Sequence, residues 1–230
     1  MARLRGALPA PRHVLAAAMP HQIVGETPAQ FIRIPSRLSF WLNDVDGDCV
    51  TAEEAFVKAC HKPEIFITDA TVQSWAEARG VLNGAFLPDV LWMMHKHGFY
   101  QNGHFYDNGG PSSVDWTNKA VLENAIWTGP VKIGVAADQF ENVVPDPPMN
   151  GWFATGFTKD WKEDHCTSLC GFGSFAWLAE QLGSTVPVEL DGATSGLAMF
   201  SWSSIGIIDW PSMQAVTGEA WVRNPSTVVK

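Results

Sequence analysis

The sequence predicts an α+β protein of two lobes, helical in its first half and stranded in its second. Three observations carry this reading. Apolar residues recur at helical spacing from Cys49 to about Gly98, and residues 99–114 are dense in Gly, Asn, Asp and Ser. Beyond residue 130, short β-branched and apolar runs of strand length take over.

Taken in order, residues 1–40 are rich in Pro and Ala and read as an extended N-terminal arm strapped across the body, leaving 41–230 as the folded domain. From Cys49, the residues Val50, Ala52, Ala55, Phe56, Ala59 and Cys60 make an apolar stripe, with Glu53 and Glu54 in the early turns, where the helix dipole favours acids. A second helix is expected over about Thr68–Arg79, with Asp69 near its cap and Gly80 as its stop. A third follows in PDVLWMMHKHG, where Pro88 suits the first turn and Gly98 the end. These three make a helical lobe over about 41–115. After the turn-rich stretch, VDWTNKAVLENAIWTGP reads as a helix closing at Gly129-Pro130. VKIGVAA (131–137), CTSLCGF (166–172) and GLAMFSW (196–202) read as strands, with a short helix in FAWLAEQLG, giving a β-rich lobe over about 116–222. No internal repeat is visible.

Composition narrows the function. Hydrophobic residues make up 46% and charged ones 17%, enough to bury a sizeable core. The formal net charge of -9, with no Lys/Arg cluster, excludes a nucleic-acid binder. The N-terminal stretch MARLRGALPAPRH carries the only basic flavour and lacks the apolar core of a signal peptide; no run reaches membrane-spanning length. The chain therefore reads as soluble, with no membrane partner. Eleven Trp suit core, lobe interfaces and clefts. The four cysteines, Cys49, Cys60, Cys166 and Cys170, are too few for a disulfide framework in a chain this long. They also lack the paired C-x2-C spacing of a zinc site, so no metal or other cofactor is expected.

Three segments carry chemistry. WLNDVDGDCVTAEEAF (41–56) puts Cys49 where a glycine-containing turn enters a helix, a place whose free N–H groups and dipole favour a thiolate and lower the thiol pKa. WKEDHCTSLCGFG (161–173) puts His165 at the head of a strand. MFSWSSIGIIDW (199–210) is a strand running into a Trp-bearing loop. The first segment also fits a calcium loop of the EF-hand kind, with Asp44, Asp46 and Asp48 alternating and Glu54 beyond. Counted from Asp44, however, the sixth position is Cys49 rather than Gly and the twelfth is Ala55 rather than Glu.

Nucleophile at a helix start, histidine at a later strand start, then an SW strand: this order resembles the papain-like cysteine peptidases. NDVDGDCVTAEEA is similar to the ND…GDC…A element of a divergent bacterial and phage-type branch. AVLENAIWTGPVKIGVAAD resembles that family's helix, GPV and strand, and DHCTSLCGFG its histidine strand. The likeness covers roughly residues 40–222. It implies a papain-like two-lobed fold, with an N-terminal helical lobe and a C-terminal antiparallel β lobe. It further implies a cofactor-free thiol hydrolase acting on a peptide or protein substrate. Cys49 would be the nucleophile and His165 its proton partner. Asn43, where the family has Gln, would be the side-chain oxyanion donor, and Trp202 the aromatic that shields the histidine. The interval between Cys49 and His165 is somewhat shorter than is usual in the family. One departure stands out: the family's Asn two residues before that Trp is Phe200 here, which cannot accept the imidazole N–H. Strand alternation sends Ser201 to the opposite face, which leaves a backbone carbonyl or Asp164 to orient the ring. Two other readings of the same residues are a papain-like module kept for binding or assembly, as in a phage-like particle, and a Cys/His cell-wall amidase.

Overall fold

In the computed structural model, which describes residues 3–107, 109–223, 228 and 229, the N-terminal arm is partly regular. It holds a short strand β1 (Ala7–Leu8), a six-residue helix α1 (Arg12–Ala17) entered through Pro11, and a second strand β2 (Phe31–Ile32). Helix α2 (Cys49–Ala59) follows a tight loop in which Trp41 and Leu42 take positive φ, at 47° and 71°. Helix α3 (Asp69–Glu77) is capped by the Thr68 hydroxyl, which accepts the Thr71 N–H. Strand β3 (Ala85–Phe86) leads into α4 (Leu87–His97), with Pro in its first turn and Gly98 at φ 49° ending it.

The turn-rich stretch 99–114 holds three short strands. Strands β4 (Phe99–Gln101) and β5 (His104–Asp107) form a hairpin through Asn102-Gly103, both at positive φ, as a two-residue turn between right-twisted strands requires. Strand β6 (Pro111–Ser113) crosses to the large sheet. Helix α5 (Lys119–Thr128) is capped by Asn118, whose side chain takes the N–H groups of Ala120 and Val121. Then come β7 (Val131–Val135), β8 (Phe153–Ala154), β9 (His165–Ser174), α6 (Phe175–Gln181), β10 (Ser195–Ser201), β11 (Ser204–Asp209), α7 (Trp210–Val216) and β12 (Thr217–Arg223). A last short strand, β13 (Val228–Val229), pairs with β5. The large sheet runs β6-β12-β7-β9-β10-β11-β8, antiparallel except where β8 joins β11, and β2 adds to β9. Helical lobe first and antiparallel β lobe second is the two-lobed architecture anticipated.

What joins the lobes is α2, whose eleven residues are all buried. Its apolar side lies on β9 and β10: the Phe56 ring stacks on Phe200 at 4.1 Å and 4°, and Trp41 meets Phe200 edge-on at 5.7 Å. Its polar side is no less enclosed. Glu54 pairs with Lys132 of β7 at 2.8 Å and Arg223 of β12 at 3.0 Å. Burial alone would raise the Glu54 carboxyl, but the two cations outweigh it and hold it at about 2. Turned inward and spent on that pair, Glu54 is not available to a calcium loop, and among the described residues no cluster of three or more His, Cys, Asp or Glu is arranged to hold a metal. Among the same residues, no helix is long and apolar enough to cross a membrane.

Truncating the seam should be costly. Phe200→Ala removes a fully packed ring between the lobes, and a loss of about 3–5 kcal/mol is expected in urea denaturation. A loss below about 1 kcal/mol would mean that the lobes are held together elsewhere.

Candidate active site

Cys49 is the first residue of α2, and its loop is locked before the helix starts. Asn43 N–H bonds the Phe40 carbonyl, while Val45 and Asp46 N–H both bond Leu42 O. The buried Trp41 ring donates its N–H to Ile67 O at 2.8 Å. His165 opens β9, which lies directly on α2. The backbone N–H of Cys166, the very next residue, lies near enough to the Cys49 sulfur to favour its thiolate. Helix tip and strand head therefore meet, and the sulfur lies one residue from the histidine. No hydrogen bond joins Cys49 and His165 themselves; the other backbone N–H that favours the thiolate is that of Gly6 in the N-terminal arm.

Around His165, Nε2 lies 3.1 Å from the Ser201 hydroxyl, and Nδ1 has no hydrogen-bond partner. The ring stacks on Trp202 at 4.4 Å and 15°. Phe200 does not face the histidine at all, being turned onto Phe56. With Trp202 taken as a strand residue, alternation sends Ser201 to the opposite face, but Trp202 is not on the strand. It sits at φ 43° in the two-residue turn between β10 and β11, so its ring folds over His165 while Ser201, the last strand residue, points the same way. Asp164 is not the orienting group either: its carboxylate takes Ala137 N–H and Arg5. A hydroxyl both donates and accepts, so Ser201 positions the ring without fixing its tautomer as an amide or carboxylate does. Asn43 is buried in the loop before Cys49; its side-chain amide donates to Asp46 O at 3.3 Å and its backbone carbonyl accepts Leu4 N–H.

The groove is filled by the chain's own N-terminus. Leu4 N–H bonds Asn43 O, Gly6 O accepts Ala85 N–H at 2.8 Å, and Ala7 N–H bonds Asp164 O. Strand β1 then runs parallel to β3. Gly6 passes so near the loop that a Cβ there would fall 1.6 Å from the Gly47 carbonyl oxygen, and a Cβ on Gly84 would meet Gly6 O at 3.0 Å. Only glycines allow this crossing. Arg5 reaches three carboxylates, Asp138, Glu141 and Asp164, at 2.5 to 2.6 Å. Further along, Ala10 N–H bonds the Glu219 carboxylate. Arg5 and Gly6 are the site residues that sequence reasoning missed, and Ser201 is one that it placed on the wrong face. The basic residues of MARLRGALPAPRH in an acidic chain were the available signal for Arg5.

This covering reverses the electrostatics expected of a helix-tip cysteine. Burial, with Asp48 and Glu53 close by, pushes the Cys49 thiol up to about 12 rather than down. Burial, with Arg5 nearby, lowers His165 to about 3. With the arm in place the pair is a neutral thiol beside a neutral imidazole. A cavity of about 710 Å³ opens at the other end of α2, lined in part by Arg33, Cys60 and His61, and includes neither Cys49 nor His165.

No protein-family model matches this sequence, and no curated protein does. Solved structures do. Xylellain, a cysteine protease from Xylella fastidiosa, superposes with a TM-score of 0.65 at 12% identity, covering 98% of this chain and 97% of that one. The ragweed pollen allergen Amb a 11, a cysteine protease in its proform, gives 0.63 at 10% identity over 94% of this chain and 74% of its own. Digestive procathepsin L 3 of Tenebrio molitor gives 0.60 at 12% identity over 90% and 74%. The chain thus has the papain-like fold of cysteine proteases, helical lobe and β lobe included.

Acid should loosen the arm. A histidine held near 3 under the arm and free to return toward 6.5 without it takes up a proton only in the open form, so falling pH favours opening across that window, by up to about tenfold per pH unit. Hydrogen-exchange protection of the Gly6 and Ala7 amides should therefore fall between pH 6.5 and 4. Constant protection across that range would contradict the burial of His165 by the arm.

Proposed function

We propose that this chain is a latent thiol hydrolase of peptide bonds, with Cys49 as nucleophile and His165 as its proton partner. The observation that supports it most is the meeting of helix tip and strand head: α2 lies on β9, and the Cys166 N–H near the Cys49 sulfur belongs to the residue after His165, whose Nδ1 has no hydrogen-bond partner. In the open form, the thiol proton passes to Nδ1 and the sulfur attacks the scissile carbonyl carbon. The backbone N–H of Cys49 and the Asn43 amide, released from Asp46 O, stabilise the developing oxyanion. The C–N bond breaks, His165 returns its proton to the leaving amine, and a thioester remains. Water, deprotonated by His165, then hydrolyses the thioester and regenerates the thiol. Ser201 is a positioning residue that holds the ring through Nε2, and Trp202 covers that hydrogen bond from one face.

Latency follows from the arm. A groove threaded by Gly6 admits no substrate, and a buried thiol near 12 is not a nucleophile at neutral pH. A second reading, a papain-like module kept for binding or assembly, draws support from the absent Cys49–His165 hydrogen bond and from Phe200 in place of the family's Asn.

One substitution separates the two readings. Gly6→Val cannot pass Gly47, so it should displace the arm from the groove. In the native chain Cys49 should react with iodoacetamide at pH 6 no faster than the other three buried cysteines, whereas in Gly6→Val it should react at least about tenfold faster, as read by peptide mapping. The open chain should cleave peptides, with kcat/KM lowered at least about a thousandfold by Cys49→Ala. Ser201→Ala should lower kcat about tenfold and shift the acid limb of its pH profile with little change in KM. An open chain with slow Cys49 alkylation and no turnover would favour the non-catalytic module.

A further inference from the structure

The arm does more than block the groove: it shows what side chains the groove can hold. An extended segment sends alternate side chains to one side, and Arg3 and Arg5 both turn toward the β lobe. Each meets a set of acceptors on that lobe. The Arg3 guanidinium donates to three consecutive-region carbonyls, Glu141 O at 3.0 Å, Val144 O at 2.6 Å and Pro145 O at 2.8 Å, and lies 5.5 Å over the Trp202 ring. The Arg5 fork reaches Asp138 at 2.5 Å through Nη1, Asp164 at 2.6 Å through Nη1 and Glu141 at 2.6 Å through Nη2. Asp164 is itself fixed, since its second oxygen accepts Ala137 N–H at 3.0 Å. Three carboxylates around one cation are more than a neutral pair needs, and without a cation their mutual repulsion is uncompensated.

We propose that these three carboxylates, with the carbonyls beside them, form a substrate subsite for basic side chains, so that the open groove selects peptides carrying Arg at the position Arg5 now fills and a second Arg two residues before it. The proposal rests on the hydrolase reading for its use but not for its chemistry. The Gly6 N–H lies near the Cys49 sulfur, so the residue just before it places its side chain in the acidic subsite. Asp164, which directly precedes His165, makes that subsite continuous with the catalytic pair. A planar guanidinium fits three acceptors on two of its nitrogens, whereas the neutral isostere citrulline keeps the shape and loses the charge. The same groove allows no Cβ opposite Gly47, so the following position takes glycine.

The test uses the full chain carrying Gly6→Val and a fluorescent peptide copying residues 3–8, alongside the same peptide with citrulline in place of the second Arg. Anisotropy should give a dissociation constant at least about tenfold weaker for the citrulline peptide, and that gap should shrink below about twofold when Asp138→Asn and Glu141→Gln are added. Equal binding of the two peptides to the open chain would overturn the subsite. Should Gly6→Val fail to fold, the same titration into Arg5→Ala, whose arm has lost its grip, gives the same comparison. Turnover is scored separately: selective binding without cleavage would refute the hydrolase reading and leave the subsite standing. Cleavage without Arg selectivity would do the reverse.

Discussion

Helix α2 lying on strand β9 is the contact from which the remaining architecture follows. An eleven-residue helix enclosed on all sides has no solvated face for its polar residues, so each must be answered from within. Glu54 is answered by Lys132 on β7 and Arg223 on β12, two strands of the other lobe. Such a pair adds little net stability over an apolar core, yet removing one partner leaves an uncompensated buried charge. It fixes the rotation of the helix against the sheet, and Phe56 on Phe200 fixes its depth. With rotation and depth set, the first residue of the helix can only arrive at the head of β9. The chemistry of the site is thus a consequence of how a buried helix satisfies its charges.

Burial also explains why the site is quiet. A helix start offers N–H groups that stabilise a thiolate, but that effect is worth roughly a kcal/mol or less for an exposed group, while removing the group from water raises the thiol by more. The arm supplies that removal. Its passage depends on three glycines, Gly6, Gly47 and Gly84, brought backbone to backbone, and on a cation held by acids of the opposite wall. The first is a steric constraint indifferent to pH; the second weakens as Asp138, whose carboxyl Arg5 holds below its usual range, takes up a proton. A closure built from both is tight near neutrality and yields to acid.

Much of this fold was legible because its elements follow local rules. Helices α2, α3 and α4 show apolar stripes with caps and stops where propensity puts them, and β7, β9 and β10 are apolar runs of strand length. The hairpin β4–β5 was hidden because Asn102-Gly103 signals a turn without showing that strands flank it; Tyr100 and Phe105, both largely exposed, lend those strands no apolar alternation. The calcium-loop pattern around Cys49 dissolved for a reason no motif contains: Glu54 has cations from distant strands. Ser201 falls on the wrong face whenever alternation is extended through Trp202, which belongs to a turn. The covering of Cys49 was beyond a local reading altogether, since the thiol's environment is made by residues 4–7 and 164–166, far apart along the chain.

The central claim is that Cys49 and His165 share one groove and that the arm keeps both uncharged. The most direct measurement is the ring-nitrogen NMR titration of His165 in the native chain and in a chain whose arm has been displaced. A native imidazole that stays neutral well below pH 6.5, with an imidazolium appearing near neutrality once the arm leaves and vanishing again when Cys49 is replaced by Ala, is the predicted result. A ring that titrates near 6.5 in both chains, untouched by the loss of the sulfur, would contradict the account.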